Sequence, residues 1–343
     1  DHRDLHSFPT RRSSDLKIVK KNGTIGTDCD YTDIRDALAA ITDNSAEKRY
    51  FVYVMDGNYD YSNNGDNIGV RLKNYVTLRG QSYNTRIIKR DSVFDWAKAA
   101  VDKEAGDMDY IAIEGFFTII SNNCKCPIHI DSEKVKYGLF QNINLINEQT
   151  LGTGDNPVEG EANCFALGWR GDDHIVLKNI KANGKLWGHN STDTGSKAKF
   201  ELINCNCPRI QIGDLNSQGS DEIIVKGCNV DEFQLLWFSY PDFVSVKPPR
   251  NSFNFVFEGN KIANAIIKDH AQTHDALEDF YKGKFPFSIS EIHKEFYGAG
   301  ITKGSDVSKV NSSTVKTWQS GEVVFGKALE NTDQNGRLLI QLK

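Results

Sequence analysis

Residues 17–44 read KIVKKNGTIGTDCDYTDIRDALAAITDN, and the next β-prone stretches read YFVYVMDGNYDYS (50–62) and VRLKNYVTLRGQSYNTRIIKR (70–90). A short strand, a Gly-containing turn and an amphipathic helix are followed by brief β-runs, each closed by Gly or Asn. In the helix, about residues 32–41, Ile34, Leu38 and Ile41 share one face with Ala37 beside them, and Thr32 is the expected N-cap. A helix ahead of a series of short strands can close the end of a strand stack, where unpaired edges would otherwise be exposed.

Five later runs share a pattern in which an apolar residue, any residue and then Asn or Gly precede alternating small or apolar positions. They are FQNINL from Phe140, LKNIKA from Leu177, LINCNC from Leu202, VKGCNV from Val225 and FEGNKI from Phe257, with starts 37, 25, 23 and 32 residues apart. Intervals in the twenties match one coil of a β-solenoid, and the longer ones admit an inserted loop. The third position is Asn142, Asn179, Asn204, Gly227 or Gly259. A sharp bend between strands needs a residue that tolerates left-handed dihedrals, which Gly and Asn do best, and stacked Asn amides can bond from coil to coil. The expected fold is all-β: a single-stranded right-handed parallel β-helix with an N-terminal capping helix, a short helical connector and a small C-terminal β-module.

The order of elements in residues 17–90 resembles the entry of pectin-lyase-like parallel β-helix proteins, and residues 17 to about 230 are most similar to pectinesterases. The resemblance implies an ester hydrolase of pectin-like polysaccharide, with an oxyanion-stabilising amide, an acid and a carboxylate nucleophile. In place of the family's Gln-Ala-Val-Ala-Leu this chain has Asn163-Cys-Phe-Ala-Leu167, an amide one methylene shorter, followed by the matching Gly171-Asp172. In place of Gln-Asp-Thr-Leu, whose Asp is the general acid, stands Lys185-Leu-Trp-Gly188, and Arg209-Ile-Gln-Ile-Gly213 replaces Asp-Phe-Ile-Phe-Gly. Arg209 therefore occupies the nucleophile's position, and an arginine stays protonated and cannot attack a carbonyl. The family's later Gly-Arg-Pro-Trp segment is not found. Ester hydrolysis by this route needs both acids, one to attack and one to shuttle protons.

Residues 1–16, DHRDLHSFPTRRSSDL, read as a translated sequencing-library adaptor and are set aside. On that reading the natural N-terminus, with any signal, is missing. The segment holds three Asp and three Arg, so the net charge of −5 survives its removal. A mildly acidic chain does not advertise a nucleic-acid or anionic-membrane partner, and no apolar run approaches a membrane span. Seven cysteines argue against a fully paired disulfide framework. The pairs Cys124/Cys126 and Cys205/Cys207 could be four metal ligands. Zinc sites more often space cysteines by two to four residues, and alternate strand positions point the same way, so a stacked column of buried thiols is the preferred reading.

Residues 17–269 are expected to form the β-helix and residues 270–303 a helical connector, with helices at about 271–282 and 290–297. Residues 304–343 form the β-module, whose tail GEVVFGKALENTDQNGRLLIQLK looks like a terminal module of phage structural proteins. His270 and His274, four apart on the first of these helices, read as a solvated face; no metal or other cofactor is expected. Asp172, Asp173 and His174 lie beside Trp169, with Asp193, Glu201 and Asp214 within the next two coils. Stacking could bring two of these carboxylates to the roughly 5 to 9.5 Å separation used in glycoside hydrolysis. For binding, Trp187 and Trp169 are the aromatic candidates, with Asn163 and Arg209 beside them, because flat rings suit stacking on sugars. The expectation is thus a non-catalytic adhesion or structural protein, virion-borne or extracellular, that touches polysaccharide or host-surface glycan and other virion proteins and is able to form a homotrimer. The alternative is a carbohydrate-active enzyme: a pectinesterase-like esterase, a polysaccharide lyase or a glycoside hydrolase.

Overall fold

The computed structural model describes residues 15–130, 134–149, 162–190, 197–214, 221–237, 254–269, 291–297, 306–309, 315–317, 319, 326–328 and 337–342. The chain enters through β1 (Leu16–Val19) and α1 (Ile34–Ala39), then β2 (Tyr50–Val54), β3 (Gly57–Asp60), β4 (Ile68–Leu72), β5 (Val76–Gly80) and the long β6 (Thr85–Lys103). It continues as β7 (Ile111–Gly115), β8 (Phe117–Ile130), β9 (Gly138–Asn147), β10 (Asn163–Trp169), β11 (His174–Ala182) and β12 (Lys185–Asn190). Next come β13 (Lys199–Ile203), β14 (Asn206–Asp214), β15 (Glu222–Lys226), β16 (Asn229–Trp237), β17 (Asn254–Glu258) and β18 (Lys261–Asp269). The last strands are β19 (Glu291–Tyr297), β20 (Asp306–Lys309), β21 (Val315–Thr317), β22 (Gly326–Ala328) and β23 (Arg337–Leu342). None of the described helices is long and apolar enough to cross a membrane.

Every pairing from β1 to β18 is parallel, and the partners of one strand lie one coil away. On the first face the inward column runs Val52, Leu78, Ile113, Phe140, Leu177, Leu202, Val225, Phe257. A second face begins at the corner after it, where Ile143 pairs with both Phe117 and Ile180. On the third face Ile128, Phe165, Leu186, Ile210 and Phe233 stack inward, each from the next coil. This is a parallel β-helix, and these columns make up one continuous apolar core.

The corner between the first two faces uses the repeat. Asn142, Asn179 and Asn204 have φ of 57°, 54° and 52°, and Gly227 and Gly259 have 62°. Asn179 Nδ2 donates to Asn142 Oδ1 at 2.8 Å and Asn204 Nδ2 to Asn179 Oδ1 at 3.3 Å, so the amides bond from coil to coil. The next corner is Gly because a Cβ at residue 227 would stand 2.4 Å from Asn204 Oδ1.

The capping helix is shorter than the sequence suggests and starts one residue later. Its N-cap is Asp33, not Thr32: Asp33 has extended backbone and its carboxylate accepts from Arg35 N. Ile34, Ala37 and Leu38 are buried and join the core together with Ile41. A larger difference lies at the other end. Where a helix is expected at 290–297, Glu291–Tyr297 form strand β19, which pairs parallel with β18 and antiparallel with β23. Pairing on both edges outweighs a weak local preference. The proposed helix at 271–282, with His270 and His274, lies outside the described residues.

All seven cysteines are free and buried. Cys124 Sγ donates to Asn122 O at 3.3 Å, Cys205 Sγ to Leu177 O at 3.6 Å and Cys228 Sγ to Leu202 O at 3.3 Å. Burial pushes the Cys124 thiol up to about 11 and the Cys164 thiol up to about 12. The interior also holds a charge the sequence does not announce. Lys89 is fully buried and donates to Asp91 Oδ1 at 2.9 Å and Tyr61 O at 3.2 Å, while Lys98 approaches the other Asp91 oxygen at 3.4 Å.

Two outcomes follow. Asn179→Leu, which keeps the left-handed strain and loses both amide bonds, lowers unfolding stability by about 2–3 kcal/mol in urea titration; Asn179→Gly lowers it by less. A thiol-reactive chromophore labels the native protein slowly and titrates seven thiols only after denaturation.

Candidate functional site

Side chains alternate across a strand, so the residues between the inward positions of the third face point outward. Reading from coil to coil, that outward column is His129, Ala166, Trp187, Gln211, Gln234. A second outward column beside it contains Asn163, Lys185, Arg209, Glu232 and Asn264, with Asn163 opposite Lys185 and Arg209 opposite Glu232 opposite Asn264.

At the N-terminal end of this face, His129 Nδ1 meets Asp102 Oδ2 at 3.2 Å and His129 Nε2 meets Lys125 Nζ at 2.9 Å. At its centre the Trp187 ring lies half-buried, 4.8 Å from the His189 ring, with Lys185 Nζ 5.7 Å from its centroid. Trp187 Nε1 is buried and has no hydrogen-bond partner among the described residues, and the same is true of Gln211 Oε1 on the adjoining strand. At the C-terminal end Glu232 binds Arg209 Nε at 2.7 Å and accepts from Asn264 Nδ2 at 3.4 Å and from Gln234 Nε2.

Asn163, Lys185 and Arg209 thus share the outer column, while Leu186, at the position of the family's acid, is fully buried in the core. Asn163 is itself 3 % exposed, with Oδ1 unpartnered among the described residues and its backbone carbonyl accepting from Asn147 Nδ2 at 2.8 Å. Trp169 is corrected from a binding candidate to a core residue. It is 1 % exposed, and its Nε1 donates to Asp221 Oδ2 at 2.9 Å. Room for the ring comes from Gly188, where a Cβ would come within 2.6 Å of it.

The described carboxylates of the candidate catalytic set lie on different elements: the turn before β11, the first face and the end of β14. Asp172 is exposed in the turn before β11, whereas Asp173 is 1 % exposed and accepts from Val135 N at 3.0 Å and Arg170 N at 2.9 Å. Such a carboxylate fastens a turn to the preceding coil. His174 and Glu201 lie on the first face, with His174 Nε2 and Glu201 Oε1 2.6 Å apart. Burial pushes the Glu201 carboxyl up, but hydrogen bonds from His174 and Lys199 outweigh it and hold the group below the usual range. Asp214 ends β14 opposite Asn190 and Trp237, and Asp193 lies outside the described residues.

The sequence did not single out Asp102, Lys125, His129, Gln211, Gln234 or the tyrosines that precede His174 on the first face. Tyr110 and Tyr137 stack at 5.8 Å, Tyr137 meets the His174 ring edge-on at 5.2 Å, and Arg49 covers Tyr110 at 4.6 Å. Period-two alternation in CPIHI, from Cys126, places His129 opposite the core side, which is the signal that could have marked it.

No protein-family model matches the chain, and no curated protein matches it. Among solved structures, pectin methylesterase PemA from Erwinia chrysanthemi is similar over 74% of this chain and 78% of that chain, with 11% sequence identity and a TM-score of 0.39. The parallel β-helix stands on the pairing registers themselves.

Burial pushes the Asp173 carboxyl up to about 7, against an unfolded value near 4. The unfolded chain gives up this proton first, so the Asp173 contribution to stability is greatest below about pH 4. It declines as pH rises toward about 7. The melting-temperature difference between wild type and Asp173→Asn, measured from pH 4 to pH 8, therefore shifts in favour of the variant as pH rises.

Proposed function

We propose that this chain is a non-catalytic parallel β-helix protein that binds glycan across the third face. The observation that carries this reading is the fate of the two acid positions: Leu186 faces the core and Arg209 is held by Glu232 at 2.7 Å. Neither can attack a carbonyl or pass a proton to a leaving group. What the face offers is the half-buried Trp187 ring and amide side chains, the mixture of flat apolar surface and hydrogen-bonding groups that sugars need. The particle setting, a component of a phage or virus or an extracellular protein with a trimeric form, is part of the same proposal and rests on the tail from Gly321. Genes for capsid or tail proteins beside this one support that setting, and light scattering that gives a clean monomer counts against the trimeric form.

One feature favours a second reading, a carbohydrate-active enzyme. Asp102, His129 and Lys125 form a connected hydrogen-bonding series on the same face, an arrangement able to move a proton. Incubation with a polysaccharide panel decides between the two. Released methanol, unsaturated ends or shortened chains, lost in His129→Ala, replace the binding reading with the enzymatic one. On the proposed function none of these products forms, a glycan binds without being changed, and Trp187→Ala weakens that binding by roughly tenfold or more in calorimetric titration.

A further inference from the structure

Trp187 and Gln211 are register partners on adjacent strands of the third face, one coil apart. Neighbouring strands lie about 4.8 Å apart, so outward side chains at such positions stand side by side. One offers an indole N–H with nothing to receive it, and the other a carbonyl oxygen with nothing to donate to it. Gln211 is 6 % exposed, so solvent does not relieve it. A buried polar group left unpaired is costly, and an unpaired donor beside an unpaired acceptor marks a place shaped for a group that is both.

We propose that this pair receives a hydroxyl of a neutral glycan, the hydroxyl accepting from Trp187 Nε1 and donating to Gln211 Oε1. The inference rests on the glycan-binding reading and names the chemical class of its ligand. A carboxylate, sulfate or phosphate ester can accept from the indole N–H but has no proton to donate to Gln211, so the pair takes a sugar hydroxyl rather than an anionic substituent. The cations that would compensate an acidic sugar are engaged: Arg209 holds Glu232, and Lys185 lies over the Trp187 ring. The ligand class therefore differs from an acidic, pectin-like chain.

The test titrates the full chain with cellohexaose, maltohexaose and xylohexaose as neutral probes and with hexagalacturonate as the acidic one, read by calorimetry. At least one neutral probe binds, and hexagalacturonate binds more weakly. Trp187→Phe, which keeps a ring and loses the N–H, and Gln211→Leu each weaken the neutral probe roughly tenfold, while Gln211→Glu, which keeps an acceptor, stays within about threefold. Thermal melting of each variant separates lost binding from lost folding, and Trp187→Phe carries the test if Gln211→Leu does not fold. Tighter binding of hexagalacturonate overturns the inference but leaves the glycan-binding reading standing. So does unchanged affinity in both variants together with a shifted melting temperature, because the pair then holds a structural water. Binding of no probe from either class overturns the glycan-binding reading itself.

Discussion

The left-handed corner shared by successive coils is the constraint on which the remaining structure depends. Asn142, Asn179, Asn204, Gly227 and Gly259 turn the chain at one column position. A slip of one residue there would exchange the inner and outer faces of every strand that follows. The apolar columns through Leu177 and Leu202, and the outward placement of Trp187 and Gln211, are consequences of that register. A residue with a bulky side chain would resist the left-handed dihedrals by about 1–2 kcal/mol at each corner, so five such corners leave few residue types available. Asparagine adds amide bonds to this permission, and glycine takes over where the Asn204 amide fills the space a Cβ would need.

This dependence explains what could be read from the sequence. Corner residues are legible because only Gly and Asn suit them, and the buried thiols are legible because Cys-x-Cys on a strand points both side chains the same way. Lys89 is not, since RIIKRD reads as a strand with a solvated lysine until Asp91 and the Tyr61 carbonyl are seen to meet its ammonium inside the coil. Strand β19 is not legible either, because its two pairing partners lie before and after stretches of chain that local composition does not connect. The candidate site suffers from the same distance. His129, Trp187 and Gln211 enter one outward column only through coils of unequal length, so spacing along the chain gives no estimate of separation in space. Trp169 shows the converse: adjacent to Asp172, Asp173 and His174 in sequence, it is removed from solvent by the absence of a side chain at Gly188.

The carboxylates have a common physical fate. Asp173 accepts two backbone N–H groups, and Asp221 accepts from Ala198 N at 2.9 Å and from the Trp169 indole at the same distance. Glu201 is held by His174 and Lys199, and Glu232 by Arg209, Asn264 and Gln234. A general acid or nucleophile must exchange its partners during a reaction. Asp173 and Asp221 use their lone pairs to fasten one coil to the next, and loss of such a bond in the interior would leave backbone donors unpaired, whereas Glu201 and Glu232 are held by side chains.

A β-helix separates the two duties of its residues more fully than most folds, because inward and outward positions alternate along every strand. The core column that contains Leu186, Ile210 and Phe233 fixes the coil whatever stands at Lys185, Trp187, Arg209 or Gln211. Outward chemistry can therefore change from acid pairs to ion pairs, amides and an indole while the coil stays the same. The reverse does not hold. An acid at Leu186 would place a charge in the core, where its desolvation is offset only by a partner that the surrounding Ile210 and Phe165 cannot supply. A carboxylate able to act on a ligand of this face would have to stand at an outward position such as 185 or 187.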